Sequence, residues 1–197
     1  MKVSDAFTRE EFLGELHTLE SSLEHPAFLL PEEKVSLYDS ITSTNTELLN
    51  RLNQNFYSKG LSLLTKDGAS LTKEGLAFHK TLVAAAQQSA GRGRLGRSFY
   101  SPEKTGIYFS FTYVPPKGVS NPSLYTITSA VCVCRAIRKL FNKSCSIKWV
   151  NDIYLNDKKI CGILTEGITS PQTGIIECAV VGIGINITTN EKTTATL

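Results

Sequence analysis

The sequence predicts an α+β domain built on a mixed β-sheet flanked by helices. Three observations carry this expectation: strand-like segments crowd the C-terminal half, two stretches of helical spacing lie among the strands before them, and an Asn-Asp pair between two strand-like runs reads as a hairpin turn. The first helical signal comes before all of these. Thr8-Arg-Glu-Glu11 has capping-box spacing, and Phe12, Leu16, Leu19 and Leu23 recur at helical intervals until Pro26 and Pro31 close the segment. This divides the chain into a helical extension, residues 1–31, and a main domain, residues 32–197.

Within the main domain, residues 35–38 read as a strand. Thr44-Asn-Thr-Glu47 then repeats the capping pattern before Leu48, Leu52 and Phe56 mark a helix. Residues 54–79, broken by Gly60, Gly68 and Gly75, read as an irregular excursion. Residues 81–86 form a buried strand, and Ile107, Phe109 and Phe111 alternate with Tyr108, Ser110 and Thr112 in a half-buried one. Leu124, Ile127, Val131, Cys134, Ile137, Arg138 and Phe141 keep helical spacing over 123–141. Residues 147–150, 153–155, 160–164 and 175–187 are strand-like, Asn156-Asp157 is the hairpin turn, and 188–197 is a polar tail.

Composition excludes several classes. With 41% hydrophobic and 20% charged residues, a chain of this length buries about 70% of its unfolded surface and needs no disulfide or structural metal to fold. The 21 Lys and Arg against 18 Asp and Glu leave a net charge of +3, too small for general polyanion binding, so any basic function is local. Apolar runs such as 82–86 fall far short of the roughly 20 residues that span a bilayer, so no membrane partner is expected. The acidic start (Asp5, Glu10, Glu11, Glu15, Glu20, Glu24) is not a secretory signal. Five cysteines, an odd number in a chain with its own core, read as reduced thiols in the cytoplasm. Cys132 and Cys134 would point to different sides of a helix, and His17, His25 and His79 have no ligand-like neighbour, so structural zinc is not expected. One N-terminal helix is too little for a helix-turn-helix module, so no DNA partner is expected.

The segment Gly91-Arg-Gly-Arg-Leu-Gly-Arg-Ser98 matches G-x-G-x-x-G and, with Arg for Lys, the P-loop spacing. Both of those motifs require a helix directly after the glycines, and here Phe99-Tyr-Ser-Pro102 and then a strand follow. What remains is a mobile cationic loop able to fold around a polyphosphate or carboxylate, backed by Gln87 and Gln88. A solvated basic loop or an RNA-contacting segment are the alternatives.

Five segments in order resemble the catalytic module of biotin protein ligases: residues 39–45, the 88–97 loop, Lys148-Trp-Val-Asn-Asp152, Lys158-Lys-Ile-Cys-Gly162 and Val181-Gly-Ile-Gly-Ile-Asn186. The resemblance implies a fold like that of class II aminoacyl-tRNA synthetases, with 32–197 as the catalytic domain, short at its C-terminus. It also implies ATP-dependent biotinylation of a lysine of a biotin carboxyl carrier protein, the acetyl-CoA carboxylase subunit, through biotinyl-5′-AMP. Biotin, ATP and Mg2+ are the expected ligands. Homodimers are common in that family, though nothing in this chain alone indicates one. Lipoate or octanoate ligases and transferases share the fold and stay open as alternatives, as does a non-catalytic nucleic-acid binder.

Joining a carboxylate to the α-phosphate of ATP brings two anions together, so cations must offset their repulsion. The resemblance assigns Lys159 to the reacting groups, with Arg94 and Asp152 also catalytic; two exposed hairpin lysines are the alternative for Lys158 and Lys159. Ser43, Thr44, Asn45, Gln88, Gly91, Arg92, Gly93, Arg94, Lys159 and Gly162 would bind biotin or its adenylate, although helix capping accounts for one of the first three. Trp149 and the apolar residues of the 107–111 strand would supply the apolar wall. Arg94, Asn151 and Asn186 would contact the nucleotide, and Asp152 would orient Mg2+ or the attacking lysine, a plain turn cap being the alternative. Gly182 and Gly184 would let the nucleotide approach or mark a bulge. Val150 replaces the motif's proline, and Phe99 stands where many members have tryptophan.

Overall fold

A computed structural model describes residues 30–188. The predicted helix at 8–23 and most of the polar tail lie outside the described residues. Seven strands form one mixed sheet in the order β1-β2-β3-β7-β6-β5-β4. They are β1 (Val35–Ile41), β2 (Leu82–Gln88), β3 (Gly106–Tyr113), β4 (Ser146–Lys148), β5 (Asp152–Leu155), β6 (Lys158–Glu166) and β7 (Ala179–Asn186). The pair β1–β2 is parallel and the other pairs are antiparallel, which makes the sheet mixed as expected. The helices are α1 (Thr44–Asn55), α2 (Lys73–Phe78) and α3 (Pro122–Phe141). No helix among the described residues is long and apolar enough to cross a membrane.

Local chemistry sets these boundaries. The Ser43 hydroxyl accepts from the Thr46 N–H at the start of α1. Asn121 caps α3 and Pro122 occupies its first turn, where a missing N–H costs nothing; Asn142, at φ 52°, ends that helix in the left-handed region. Asn156 and Asp157 take φ values of 49° and 61°, the pair of left-handed residues that a two-residue hairpin turn needs.

Two elements depart from expectation. The 54–79 excursion contains α2, which starts where the Thr72 hydroxyl accepts from the Gly75 N–H. Its six residues are too few to display a helical period. The strand expected over 175–187 begins only at Ala179, because the chain before it turns back and buries Glu177, whose carboxylate accepts from the Leu63 N–H at 2.7 Å and the Thr173 hydroxyl at 2.8 Å.

Each face of the sheet carries a core. Ala130, Val133 and Ile137 of α3 pack on Ile153, Ile160, Cys161, Ile163, Val181 and Ile183. Leu48 and Leu52 of α1 pack with Val83, Val180, Leu63 and Phe78 on the other face. Fully buried leucines of this kind contribute about 1.5–3 kcal/mol each. They anchor α1, so that its N-terminus opens onto the β5–β7 half of the sheet.

Candidate active site

A cavity of about 210 Å³ lies on the α1 face, between the N-terminus of α1, the arginine loop and strands β5, β6 and β7. Eleven of the expected site residues line it: Ser43, Thr44, Asn45, Gln88, Arg92, Gly93, Arg94, Asn151, Asp152, Lys159 and Gly162. Two do not. Gly91 is buried beneath the loop, where an added Cβ would lie 2.3 Å from the Phe99 carbonyl oxygen, so it shapes the loop from below. Asn186 stands at the end of β7 opposite Gly106 and is not among the residues around the cavity.

One wall is a polar network. The Ser110 hydroxyl donates to Asn45 Oδ1 at 2.6 Å, which spends its proton, so Thr44 Oγ1, 2.6 Å from Ser110 Oγ, is the donor of that pair. Gln88 Oε1 accepts the Thr44 N–H at 2.9 Å, and Gln88 Nε2 donates to Ser101 Oγ at 2.8 Å. Asn45 Nδ2 donates to Glu166 Oε2 at 2.9 Å and to the Leu164 carbonyl at 3.3 Å. Helix capping thus explains Ser43 alone. Thr44 and Asn45 are buried and committed to this network.

The opposite wall is charged. Lys159 Nζ lies 2.8 Å from Asp152 Oδ1, which also accepts from Asn151 Nδ2 at 3.0 Å, and Arg94 donates to Asn151 Oδ1 at 3.1 Å. The chain Lys159–Asp152–Asn151–Arg94 joins the three residues expected to be catalytic.

A β-bulge aims Lys159. Gly162 opposes Asp152 and Cys161 opposes Ile153, but the next pair is Lys159 with Tyr154, leaving Ile160 without an opposite residue. Strict alternation back from Gly162 would turn Lys158 toward the cavity; the extra residue resets the phase and Lys159 faces it instead. Ile160 goes into the α3 core and is fully buried. Cys161 faces the same core, and burial pushes its thiol far above the ordinary range, so it is no nucleophile for this site.

The loop itself is stitched into a turn. The Gly93 N–H donates to the Arg97 carbonyl at 2.7 Å, the Arg97 N–H to the Arg94 carbonyl at 3.2 Å, and Leu95 and Gly96 follow one another in the left-handed region at φ 57° and 73°. The Arg92 guanidinium lies 2.7 Å from Glu166 Oε1.

The apolar wall differs from expectation. Trp149 is 76% exposed and does not border the cavity, and the Trp149–Val150 peptide is cis. Phe109 and Phe111 face α3, because Ser110 and Thr112 occupy the buried positions toward α1. Phe99 takes the apolar role. Its ring lies on Gly162 and Gly184, neighbours across β6 and β7, where an added Cβ would approach it to 2.8 and 2.3 Å. Lys159 Nζ sits 5.9 Å from the ring centroid. Glu166 and Ser110, which sequence reasoning did not assign to the site, hold its polar wall together; neither carries a motif signal, since each acts only through partners distant in sequence.

Comparison with known proteins bears on the family and the fold. The bifunctional ligase/repressor BirA of Bacillus subtilis is 37% identical over 107 residues, covering 54% of this chain and 32% of that protein. The biotin--[acetyl-CoA-carboxylase] ligase of Paracoccus denitrificans is 33% identical over 109 residues, covering 53% of this chain and 43% of that protein. The chain thus spans less than half the length of these curated relatives. The structure of biotin protein ligase from Aquifex aeolicus in complex with biotin and ATP superposes with a TM-score of 0.57 at 28% identity, over 81% of this chain and 55% of that one. The model of the biotin/lipoate A/B protein ligase family matches residues 64–186, which take in the arginine loop and strands β2 to β7, and the chain belongs to that family.

Proposed function

We propose that residues 32–197 form the catalytic domain of an ATP-dependent, AMP-forming biotin protein ligase. A biotin carboxylate oxygen attacks the α-phosphorus of ATP, and pyrophosphate leaves as biotinyl-5′-AMP forms. A lysine amine of a biotin carboxyl carrier domain then attacks the acyl carbon, AMP leaves, and the amine sheds a proton. The observation that carries this reading is the Lys159–Asp152–Asn151–Arg94 chain facing the Thr44–Gln88 wall across one cavity. Arg94 and Lys159 both border that cavity, which supports a reading in which carboxylate and phosphate meet between two cations, opposite groups suited to the ureido head. Arg94 reaches phosphate with a bidentate fork, while Lys159 supplies a point charge on a strand. A loop folded over the adenylate keeps water from the mixed anhydride.

Magnesium fits the site poorly as a resident ion. No three His, Cys, Asp or Glu side chains gather to hold a metal among the described residues. Asp152 is the one carboxylate bordering the cavity among them, and Lys159 and Asn151 already occupy its Oδ1. The ion therefore enters as the counter-ion of ATP. Five free cysteines suit a reducing cytoplasm.

Exchange of labelled pyrophosphate into ATP, run with biotin, lipoate, octanoate or no acid, tests the first half-reaction without the carrier. Exchange with biotin alone is expected. Exchange preferring lipoate or octanoate would overturn the substrate, and no exchange from folded protein would overturn the ligase reading.

A further inference from the structure

Glu166 ends β6 on the same face as Gly162 and Leu164, and its two carboxylate oxygens go to two different parts of the site. Oε2 accepts from Asn45 Nδ2 at 2.9 Å, and Oε1 pairs with Arg92 at 2.7 Å. The Glu166 side chain is 19% exposed and that of Arg92 45%, so the carboxylate is the more enclosed partner and the guanidinium the one that reaches out. Asn45 is 3% exposed and spends both ends of its amide inside the protein. It cannot turn to follow a ligand. Arg92 can, because the loop that carries it is held through its own turn and not through the sheet at that point.

We propose that Glu166 is a positioning residue that serves as an internal substitute for the ligand's anion. With the cavity empty it neutralises Arg92 and holds the root of the loop against the Asn45–Ser110–Thr44 wall. An incoming carboxylate or phosphate must take Arg92 away from Glu166, whereas a neutral ligand of the same shape leaves the pair intact. The latch therefore sets a threshold that only an anion must cross, and an uncharged analogue neither bears its cost nor opens it. This rests on the biotin reading for the identity of the anion, but not for the existence of the latch.

Two measurements separate those dependences. Labelling of the ligand-free protein with phenylglyoxal, followed by peptide mass mapping, reads Arg92 directly. Glu166→Gln keeps the shape and an acceptor for Asn45 while removing the charge, and it is expected to raise Arg92 labelling about tenfold relative to Arg94, the scale of one charge-assisted hydrogen bond. Unchanged Arg92 labelling would overturn the latch whatever the ligand is. Calorimetric titration with biotin and with neutral biotinamide then reads the threshold. Glu166→Gln is expected to tighten biotin about tenfold and leave biotinamide unchanged, and this gain should vanish in an Arg92→Ala background. Equal weakening of both ligands would mean that Glu166 only braces Asn45, and would overturn the proposal. Raised Arg92 labelling without binding of either compound would overturn the biotin reading and leave the latch standing.

Discussion

Gly182→Ala probes the buried wall most sharply. An ideal Cβ at position 182 falls 2.1 Å from Asn45 Oδ1, 2.9 Å from Asn45 Cγ and 3.2 Å from Ser110 Oγ. A flexible side-chain end usually yields to such a contact, but this one is held from three sides, by Ser110, Glu166 and the Leu164 carbonyl. If Asn45 retreats, the Ser110 bond is lost and a nearly inaccessible amide is left incompletely paired. One net hydrogen bond and one buried unsatisfied group together cost about 2–4 kcal/mol. For a domain of this size that corresponds to a fall in Tm of about 5–15 °C. Differential scanning calorimetry of Gly182→Ala, Asn45→Ala and the double variant checks the reasoning. In the Asn45→Ala background the added methyl meets no amide, so most of its penalty should disappear. A Gly182→Ala protein as stable as wild type, or one whose penalty persists without Asn45, would refute the assignment of the clash.

Lys159→Gln should lower biotin-dependent pyrophosphate exchange about 10²–10³-fold, the scale of one lost electrostatic contact to a transition state, while Lys158→Gln should stay within about threefold of wild type because the bulge turns it away. Arg94→Ala should release biotinyl-5′-AMP faster, read by retention of the labelled intermediate on gel filtration; unchanged retention and transfer would exclude Arg94 from the site. His79 should make stability depend on pH. Burial, then the Lys80 and Lys34 charges, hold its pKa below the ordinary value, and its neutral Nδ1 accepts the Val114 N–H at 3.0 Å. Above the unfolded value of about 6.5 both states are neutral and the stabilisation is complete; as pH falls below it the unfolded chain takes the proton first and stability is lost. Urea midpoints should therefore drop less between pH 7 and 5 in His79→Asn, whose Oδ1 can still accept. Finally, an alkylating reagent should label exposed Cys132 in the native protein but reach Cys161 and Cys178, both buried with thiols pushed upward by that burial, only on unfolding.

Much of the site was legible because its residues cluster in short segments whose types match the chemistry. The arginine loop with Gln88, Thr44, Asp152 and Lys159 meet at one cavity although they come from four separate parts of the chain. The elements with long periods, α1 and α3, were legible to within a residue or two, since packing on opposite faces of the sheet enforces their spacing. What escaped depended on pairing. The inward face of β3 carries Ser110 and Thr112, so apolar alternation pointed to the wrong side; which set faces the cavity follows from the partner strands and not from β3 itself. The phase of β6 is reset by one residue that nothing in Lys158-Lys-Ile-Cys-Gly162 marks as extra. Glu166 has no motif at all; its role exists only because β6 ends beside Asn45 and Arg92.

The Phe99 ring resting on Gly162 and Gly184 bears on the thermodynamics of occupancy. A pocket that begins full of water buries fresh apolar surface when a ligand ring enters, and its heat capacity of binding is strongly negative. Here part of the glycine shelf is already dry, covered by the protein's own aromatic group. A ligand ring that takes the shelf exchanges one covered surface for another and sends Phe99 outward, so less apolar area leaves water in net terms. The heat capacity change should then be smaller than the ligand's size implies, and removing the ring with Phe99→Ala should make it more negative. Calorimetric titrations at several temperatures would turn the resting place of one side chain into a measurable slope.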